Sequence, residues 1–328
     1  MALAWLVVAC DGEGVRWKAD AQVSLPEPMD AGGEGAPQDG GAMLAPDDVA
    51  EKGPYQIYKK DRDVKGTKVT VFAPSDGAAG IAAGKHPLVI VSPGFQVTRD
   101  KYADKTAHLA SWGFVAISQS FGGGLMADHM AYAKQTSAII DWALSDTSGL
   151  ADVVDGDKIG VAGHSMGGKI SMLAAALDAR IGAVVGWDPV DSNWPGSGSA
   201  VSVTPELMSR VKAKVAVLGE TLDAAGSPAC APASDNFHQY YLHASSPALE
   251  VTVVGADHMD WVEGDGGLAG MFCRKGQADG AYVQMLTKRT TTAWLRRQLM
   301  NDVGMDTFLD GDTIAGEMAA NKVHVVVK

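Results

Sequence analysis

The stretch Ile159-Gly160-Val161-Ala162-Gly163-His164-Ser165-Met166-Gly167-Gly168-Lys169 decides how this chain is read. An apolar run leads into G-x-S-x-G, and an amphipathic helical pattern with Ile170, Leu173 and Leu177 facing inward follows it. In that context the motif predicts a sharp strand-to-helix turn. Such a turn holds the serine in a strained backbone conformation, and glycines two positions to either side leave room for it. The hydroxyl of Ser165 is lifted above the sheet edge, and the N-terminus of the next helix points its free N–H groups at the same spot. A plain glycine-rich turn with an incidental serine is the bland alternative. A phosphate-binding loop is excluded, because no G-x-x-x-x-G-K-[ST] occurs. His164 neighbours the serine, but in a sharp turn it points away, so it is read as packing.

Outward from this corner the same alternation repeats. Strands are expected at 69–73, 87–91, 114–117, 159–162, 181–185, 215–218 and 251–254. Between them lie helical patterns at 102–112, around Tyr132 to Leu144, after Ser165, at 235–243 and at 281–299. Continuous apolar strands alternating with helices predict a mostly parallel central sheet with helices on both faces. In such sheets sites form at the carboxyl ends of the strands.

That rule selects partners for Ser165. His258 follows the strand ending at Val254 and is placed to take and return the serine proton. His86 stands at the wrong end of a strand; His108, His129, His238 and His243 fall in helical segments, and His324 lies in the tail. Two carboxylates could hold the imidazole. Asp188 lies in Gly186-Trp187-Asp188-Pro189-Val190-Asp191, and Asp223 in Gly219-Glu220-Thr221-Leu222-Asp223; both follow strands, and spacing alone leaves the choice open. Backbone N–H donors for a developing oxyanion are expected at Met166 and at Phe95, in Ser92-Pro93-Gly94-Phe95-Gln96.

The 328 residues are 46% apolar with a formal net charge of −12, which suits one large α/β body and disfavours nucleic acid and anionic lipid as partners. Three cysteines, with no CxxC pair and no Cys/His cluster of metal spacing, point to no metal and no cofactor. Residues 1–10 end in Leu6-Val7-Val8-Ala9-Cys10, which resembles a bacterial lipobox and would make Cys10 a lipidation site and membrane tether; the alternative is a clipped signal peptide with an incidental cysteine. Nothing basic precedes it and the apolar run is short for a signal, as a start codon set too far downstream would produce. It is also shorter than the ~20 residues that span a bilayer. Residues 11–50, rich in Gly, Pro and Ala, read as a disordered linker, and residues 51–328 as the catalytic body. The expected location is outside the cytoplasm, membrane-anchored or secreted.

From Pro87 to Leu299 the chain resembles the chlorophyllase-like branch of the α/β-hydrolases, with kinship to platelet-activating-factor acetylhydrolases and cutinase-like polyesterases. The resemblance rests on Pro93-Gly94-Phe95, Gly163-His164-Ser165-Met166-Gly167-Gly168-Lys169, Trp187-Asp188-Pro189-Val190-Asp191, Cys230-Ala231-Pro232 and Asp257-His258-Met259-Asp260. It implies the α/β-hydrolase fold and a serine carboxylic ester hydrolase, and it favours Asp188 over Asp223 as the acid. Chlorophyllases usually carry His-Gly where this chain has Pro93-Gly94, and arginine where it has Met166; both departures resemble the polyesterase and lipase side. Export would allow a disulfide between Cys230 and Cys273; the alternative is two free, buried thiols.

The short stretch between Val190 and Val215 predicts little or no lid, hence an open site for bulky, apolar or polymeric esters. Phe95, Trp187, Met166 and Trp261 are candidate pocket walls. Rival readings are a chlorophyllase-like or phospholipid acetyl-ester hydrolase, an amidase or peptidase, and a non-catalytic anchored binding protein. The chain is expected to act as a monomer. The tail 301–328 is expected to add a strand or pack as an arm.

Overall fold

In the computed structural model the described residues are 47–77, 80–122, 126–191, 201–224, 229–264 and 273–328. The Cys10 segment and residues 11–46 of the expected linker lie outside them. No described helix is long and apolar enough to cross a membrane.

Nine strands form one sheet: β1 (Gln56–Val64), β2 (Thr67–Ser75), β3 (His86–Ser92), β4 (Val115–Gln119), β5 (Val154–His164), β6 (Ile181–Trp187), β7 (Lys214–Glu220), β8 (Ala248–Val253) and β9 (Val323–Val327). Their spatial order is β1-β2-β4-β3-β5-β6-β7-β8-β9. The six strands from β4 to β8 in that order are parallel, while β1, β2 and β9 pair antiparallel with their neighbours. Among the described residues six α-helices accompany it: α1 (Ala103–Ser111), α2 (His129–Ala143), α3 (Met166–Leu177), α4 (Phe237–His243), α5 (Gly280–Met300) and α6 (Asp312–Ala319). This is the α/β-hydrolase arrangement.

Period-two alternation in the parallel strands feeds two cores. Leu88 and Ile90 of β3 point into the cluster that α2, α3 and α4 cover. Val89 and Val91 point into the opposite cluster under α1, α5 and α6. Because both faces are covered, the central stretches of these strands are continuous apolar runs, such as Leu88 to Val91 in β3 and Val215 to Leu218 in β7.

Several elements depart from expectation. β5 begins at Val154, five residues before the apolar run, because its polar start pairs with His86 and Pro87 of β3. β1, QIYKKDRDV, carries charges on an edge strand, where they discourage further pairing. Leu177, expected inward, is 46% exposed: it is the last residue of α3, where the helix leaves the sheet. The tail supplies α6 and the edge strand β9. The body also begins before residue 51, since Val49 is buried and Asp48 pairs with Arg289.

The described residues between β6 and β7 hold only a 3-10 turn at Glu206–Arg210; residues 192–200 of that connection lie outside them. Its roots are tied by a buried ion pair. Lys169 Nζ lies 3.2 Å from the Asp191 carboxylate and donates to the Asp191 carbonyl at 2.8 Å. The same carboxylate accepts from the Ser202 hydroxyl and from the N–H groups of Val203 and Thr204.

Cys230 and Cys273 are joined in a disulfide and half-buried, so they are not the free thiols of the alternative reading. The bridge spans a sequence separation of 43 and encloses α4, β8 and the His258 loop. Chain-entropy reasoning gives such a loop about 4 kcal/mol of stabilisation. Urea unfolding with and without reductant should show a loss of that order, reproduced by Cys273→Ser. An unchanged midpoint would remove the bridge from the stability of this region.

Candidate active site

Ser165 directly follows β5 and caps α3 with φ 54° and ψ −122°, a conformation costly for any residue with a Cβ. Its glycine neighbours are obligatory for steric reasons. A Cβ on Gly163 would stand 2.5 Å from the Gly167 backbone, and one on Gly167 would stand 2.2 Å from the Ser92 carbonyl. The corner is held by ladder bonds that continue past the strand end, from Ser165 N–H to the Trp187 carbonyl at 3.0 Å.

The side chains selected from the sequence meet here. His258 Nε2 lies 2.9 Å from Ser165 Oγ, and His258 Nδ1 lies 2.5 Å from Asp188 Oδ2. Asp188 is fully buried, His258 nearly so, and Ser165 half-buried. Asp188 follows β6 with φ 43°. Its N–H donates to the Leu218 carbonyl of β7 at 2.7 Å, which turns the carboxylate toward the imidazole.

Asp223, the other candidate acid, does not touch the ring. Its Oδ2 accepts the backbone N–H of His258 at 2.9 Å, so it holds the loop while Asp188 holds the side chain. The His258 carbonyl is bound in turn: His164 Nε2 lies 2.8 Å from it, and His164 Nδ1 lies 2.8 Å from the Tyr102 hydroxyl. His164 therefore faces away from Ser165 Oγ, and burial holds it well below the usual imidazole range.

Glu220, at the end of β7, carries a role that its sequence context did not suggest. It accepts from the N–H groups of Leu222 and Asp223, shaping the Asp223 turn. Burial, reinforced by the nearby Asp188 charge, pushes its carboxyl up to about 8. Burial also raises Asp188, against the pull of His258. No local pattern marks such a group; only the fold brings three strand ends together.

The N–H of Met166 opens α3, and the N–H of Phe95 follows the Pro93-Gly94 turn; among the described residues neither has a backbone or side-chain acceptor. Both residues line a cleft of about 230 Å³ together with Val97, Phe121, Ala127 and Tyr132. Phe121 and Tyr132 stack at 4.4 Å. Arg99 is also on the wall, with its guanidinium donating to Thr70 and Ser120. Trp187 and Trp261 are not pocket walls: both are fully buried. Trp187 Nε1 donates to Thr291 Oγ1 and its ring stacks on Tyr102, because as the last residue of β6 it points into the core under α5. Trp261 packs in that same core. No His/Cys/Asp/Glu group able to hold a metal occurs among the described residues.

The raised Glu220 carboxyl implies a pH dependence with a definite sign. Between the usual 4.5 and about 8 the folded chain binds a proton that the unfolded chain releases, so stability falls as pH rises through that window. Glu220→Gln should flatten this slope and raise the melting temperature at pH 8 by a few degrees, with little change at pH 4. Thermal melts across pH 4–9 decide it; a variant less stable than wild type at pH 8 would contradict the assignment.

The relatives of the chain agree with the fold and with the class of chemistry this geometry can perform. Chlorophyllase-1 of Arabidopsis thaliana is 24% identical over 244 residues, covering 67% of this chain and 74% of its own. A bis(hydroxyethyl) terephthalate hydrolase of Streptomyces coelicolor is 29% identical over 157 residues, covering 44% and 47%. Lipase 1 of a Moraxella species is 23% identical over 270 residues, covering 81% and 72%. All three names denote ester hydrolases. The chlorophyllase family model matches residues 46–318, and the chain belongs to that family.

Proposed function

We propose that this chain is a serine carboxylic ester hydrolase that works through an acyl-enzyme on Ser165. The observation that carries the reading is the unbroken line Ser165 Oγ, His258, Asp188, at 2.9 and 2.5 Å. As Ser165 Oγ attacks the ester carbonyl, His258 Nε2 takes its proton, and the buried Asp188 carboxylate stabilises the imidazolium and fixes its tautomer. The carbonyl oxygen, now negative, is met by the N–H groups of Phe95 and Met166, and the N-terminal end of α3 adds its dipole. His258 returns the proton to the departing alcohol. Water then repeats the sequence on the acyl-enzyme.

The cleft, with Phe95, Val97, Phe121 and Met166 beside Gln96, Thr98, Arg99 and Asp100, supports an acyl or alcohol group of limited size. About 230 Å³ is below the ~300–1,000 Å³ of pockets that enclose drug-sized ligands. One ring or a short chain fits between Phe95, Phe121 and Met166, and the rest of a bulky ester stays outside. Family membership makes a chlorophyll ester the second reading, with only its ester arm entering. The disulfide supports an oxidising compartment, in keeping with export and a tether at Cys10.

Fluorophosphonate labelling followed by peptide mapping should mark Ser165, and p-nitrophenyl esters of short acyl chains should be hydrolysed best. Ser165→Ala should lower kcat by about 10⁴-fold or more. Asp188→Asn should cost about 10³- to 10⁴-fold, because the imidazole loses its tautomer. Asp223→Asn keeps a carbonyl for the His258 N–H and should cost far less. A wild type inert to all esters, or Asp223→Asn more damaging than Asp188→Asn, would defeat this assignment.

A further inference from the structure

Tyr102 and His164 are buried polar side chains that the reaction above does not use. Tyr102 lies at the boundary of the 3-10 turn Arg99–Tyr102 and α1, fully buried; His164 is the last residue of β5 and 1% exposed. Gly94 N–H lies 3.1 Å from the Tyr102 hydroxyl oxygen, which lies 2.8 Å from His164 Nδ1; His164 Nε2 lies 2.8 Å from the His258 carbonyl.

Every proton in this chain is determined. A carbonyl only accepts, so His164 Nε2 carries the hydrogen. Burial keeps the ring neutral, so Nδ1 is bare and accepts from the tyrosine O–H, whose oxygen accepts from Gly94 N–H. Direction and occupancy leave no freedom. There is also no space for a substitute: a Cβ on Gly94 would stand 2.9 Å from His164 Nδ1 and 3.3 Å from the Tyr102 oxygen.

The two ends of this chain are the two halves of the proposed machinery. Gly94 immediately precedes Phe95, whose N–H meets the oxyanion. His258 supplies the base. We infer that Tyr102 and His164 are positioning residues: a one-way buried hydrogen-bond relay that fixes the oxyanion loop against the backbone of the base. With Asp223 on its N–H and His164 on its carbonyl, the His258 backbone is held on both sides, and Asp188 holds its ring. The Tyr102 ring also stacks on Trp187, the residue before Asp188, with centroids 6.1 Å apart, so one tyrosine touches the supports of the hole, the base and the acid. The neutral tautomer has an electrostatic consequence as well. The rings of His164 and His258 lie 4.8 Å apart, and a second cation there would oppose the imidazolium formed in the transition state. This inference rests on the serine-hydrolase reading of the site.

The test uses the full chain, p-nitrophenyl butyrate and phenylboronic acid, whose tetrahedral adduct on Ser165 places a negative oxygen in the hole. Tyr102→Phe removes one hydroxyl and keeps the ring stack. His164→Gln keeps an N–H within reach of the His258 carbonyl and offers nothing at Nδ1, so it cuts the same link from the other side. Each variant should lower kcat by about 10- to 100-fold with KM within about threefold, and raise the boronate inhibition constant in parallel. The double variant should be no worse than the poorer single one, because the link can be cut only once. Circular dichroism and melting confirm folding; should one variant fail to fold, the other carries the test through the kcat-to-boronate parallel. Unchanged kcat in a folded single variant, multiplicative losses in the double, or a loss confined to KM would overturn the relay. A wild type without esterase activity would instead overturn the hydrolase reading, so the two failures are distinguishable.

Discussion

Between β5 and α3 the backbone turns through Ser165 at φ 54°, with contact so close that Gly163 and Gly167 admit no side chain. A strained residue at a strand end persists only when its surroundings over-determine it. Here they do. The preceding strand is a central member of a sheet with both faces covered, and the following helix is buried along most of its length. The Ser165 N–H continues the ladder to β6. The hydroxyl is therefore presented by a rigid corner, and the partners need only be brought to it by loops from neighbouring strands.

Those loops converge because β6, β7 and β8 are parallel and end at the same edge. The consequence is a crowd of carboxylates, Asp188, Glu220, Asp223 and Asp257, that would repel one another if all were equally desolvated and unpaired. The structure divides the labour. Asp188 takes the imidazole of His258, Asp223 its backbone N–H, and Asp257 the N–H groups of Met259 and Gly276. Glu220, lacking a cation and lying beside Asp188, is pushed up to about 8. At neutral pH it is largely protonated, which removes one charge from the cluster without removing the acceptor that shapes the Asp223 turn. A neutral amide would do the same, whereas an apolar residue would strand two N–H groups.

How much of this was legible in the chain follows from where each signal resides. Strand-then-helix alternation and the elbow are local patterns, and they placed the sheet, Ser165 and His258. Asp188 against Asp223 was undecidable by spacing, since both follow parallel strands. The difference lies in which one the β6–β7 ladder turns toward the ring, a tertiary fact. β1 escaped because an edge strand with Lys59, Lys60, Asp61, Arg62 and Asp63 has no apolar face to announce it. Trp187 and Trp261 were read as pocket walls because aromatic residues near catalytic segments suggest substrate contact. Strand parity puts Trp187 on the α5 side instead. Tyr102 had no signal at all: an inward polar residue at a helix start reads as packing until its partners, eight and 62 positions away, are known.

Preorganisation of this kind has a cost in stability. Asp188 Oδ1, Glu220 Oε1 and Asp223 Oδ1 are buried without a hydrogen-bond partner among the described residues. An unsatisfied buried polar group costs about 1–3 kcal/mol, so the site subtracts several kcal/mol from a fold whose net stability is typically only about 5–15 kcal/mol. The compensations stand next to the cost. The disulfide closes the segment that carries His258, and the Lys169–Asp191 pair ties α3, whose first residue is Met166, to the roots of the loop after Asp188. Breaking that buried pair by removing one partner would leave a buried charge without its counter-ion, at a cost of about 3–5 kcal/mol. Fixed dipoles around a developing oxyanion are effective only if they do not reorganise during the reaction. The loops of this sheet edge are therefore clamped at their roots, beside the cleft walled in part by Phe95, Phe121 and Met166.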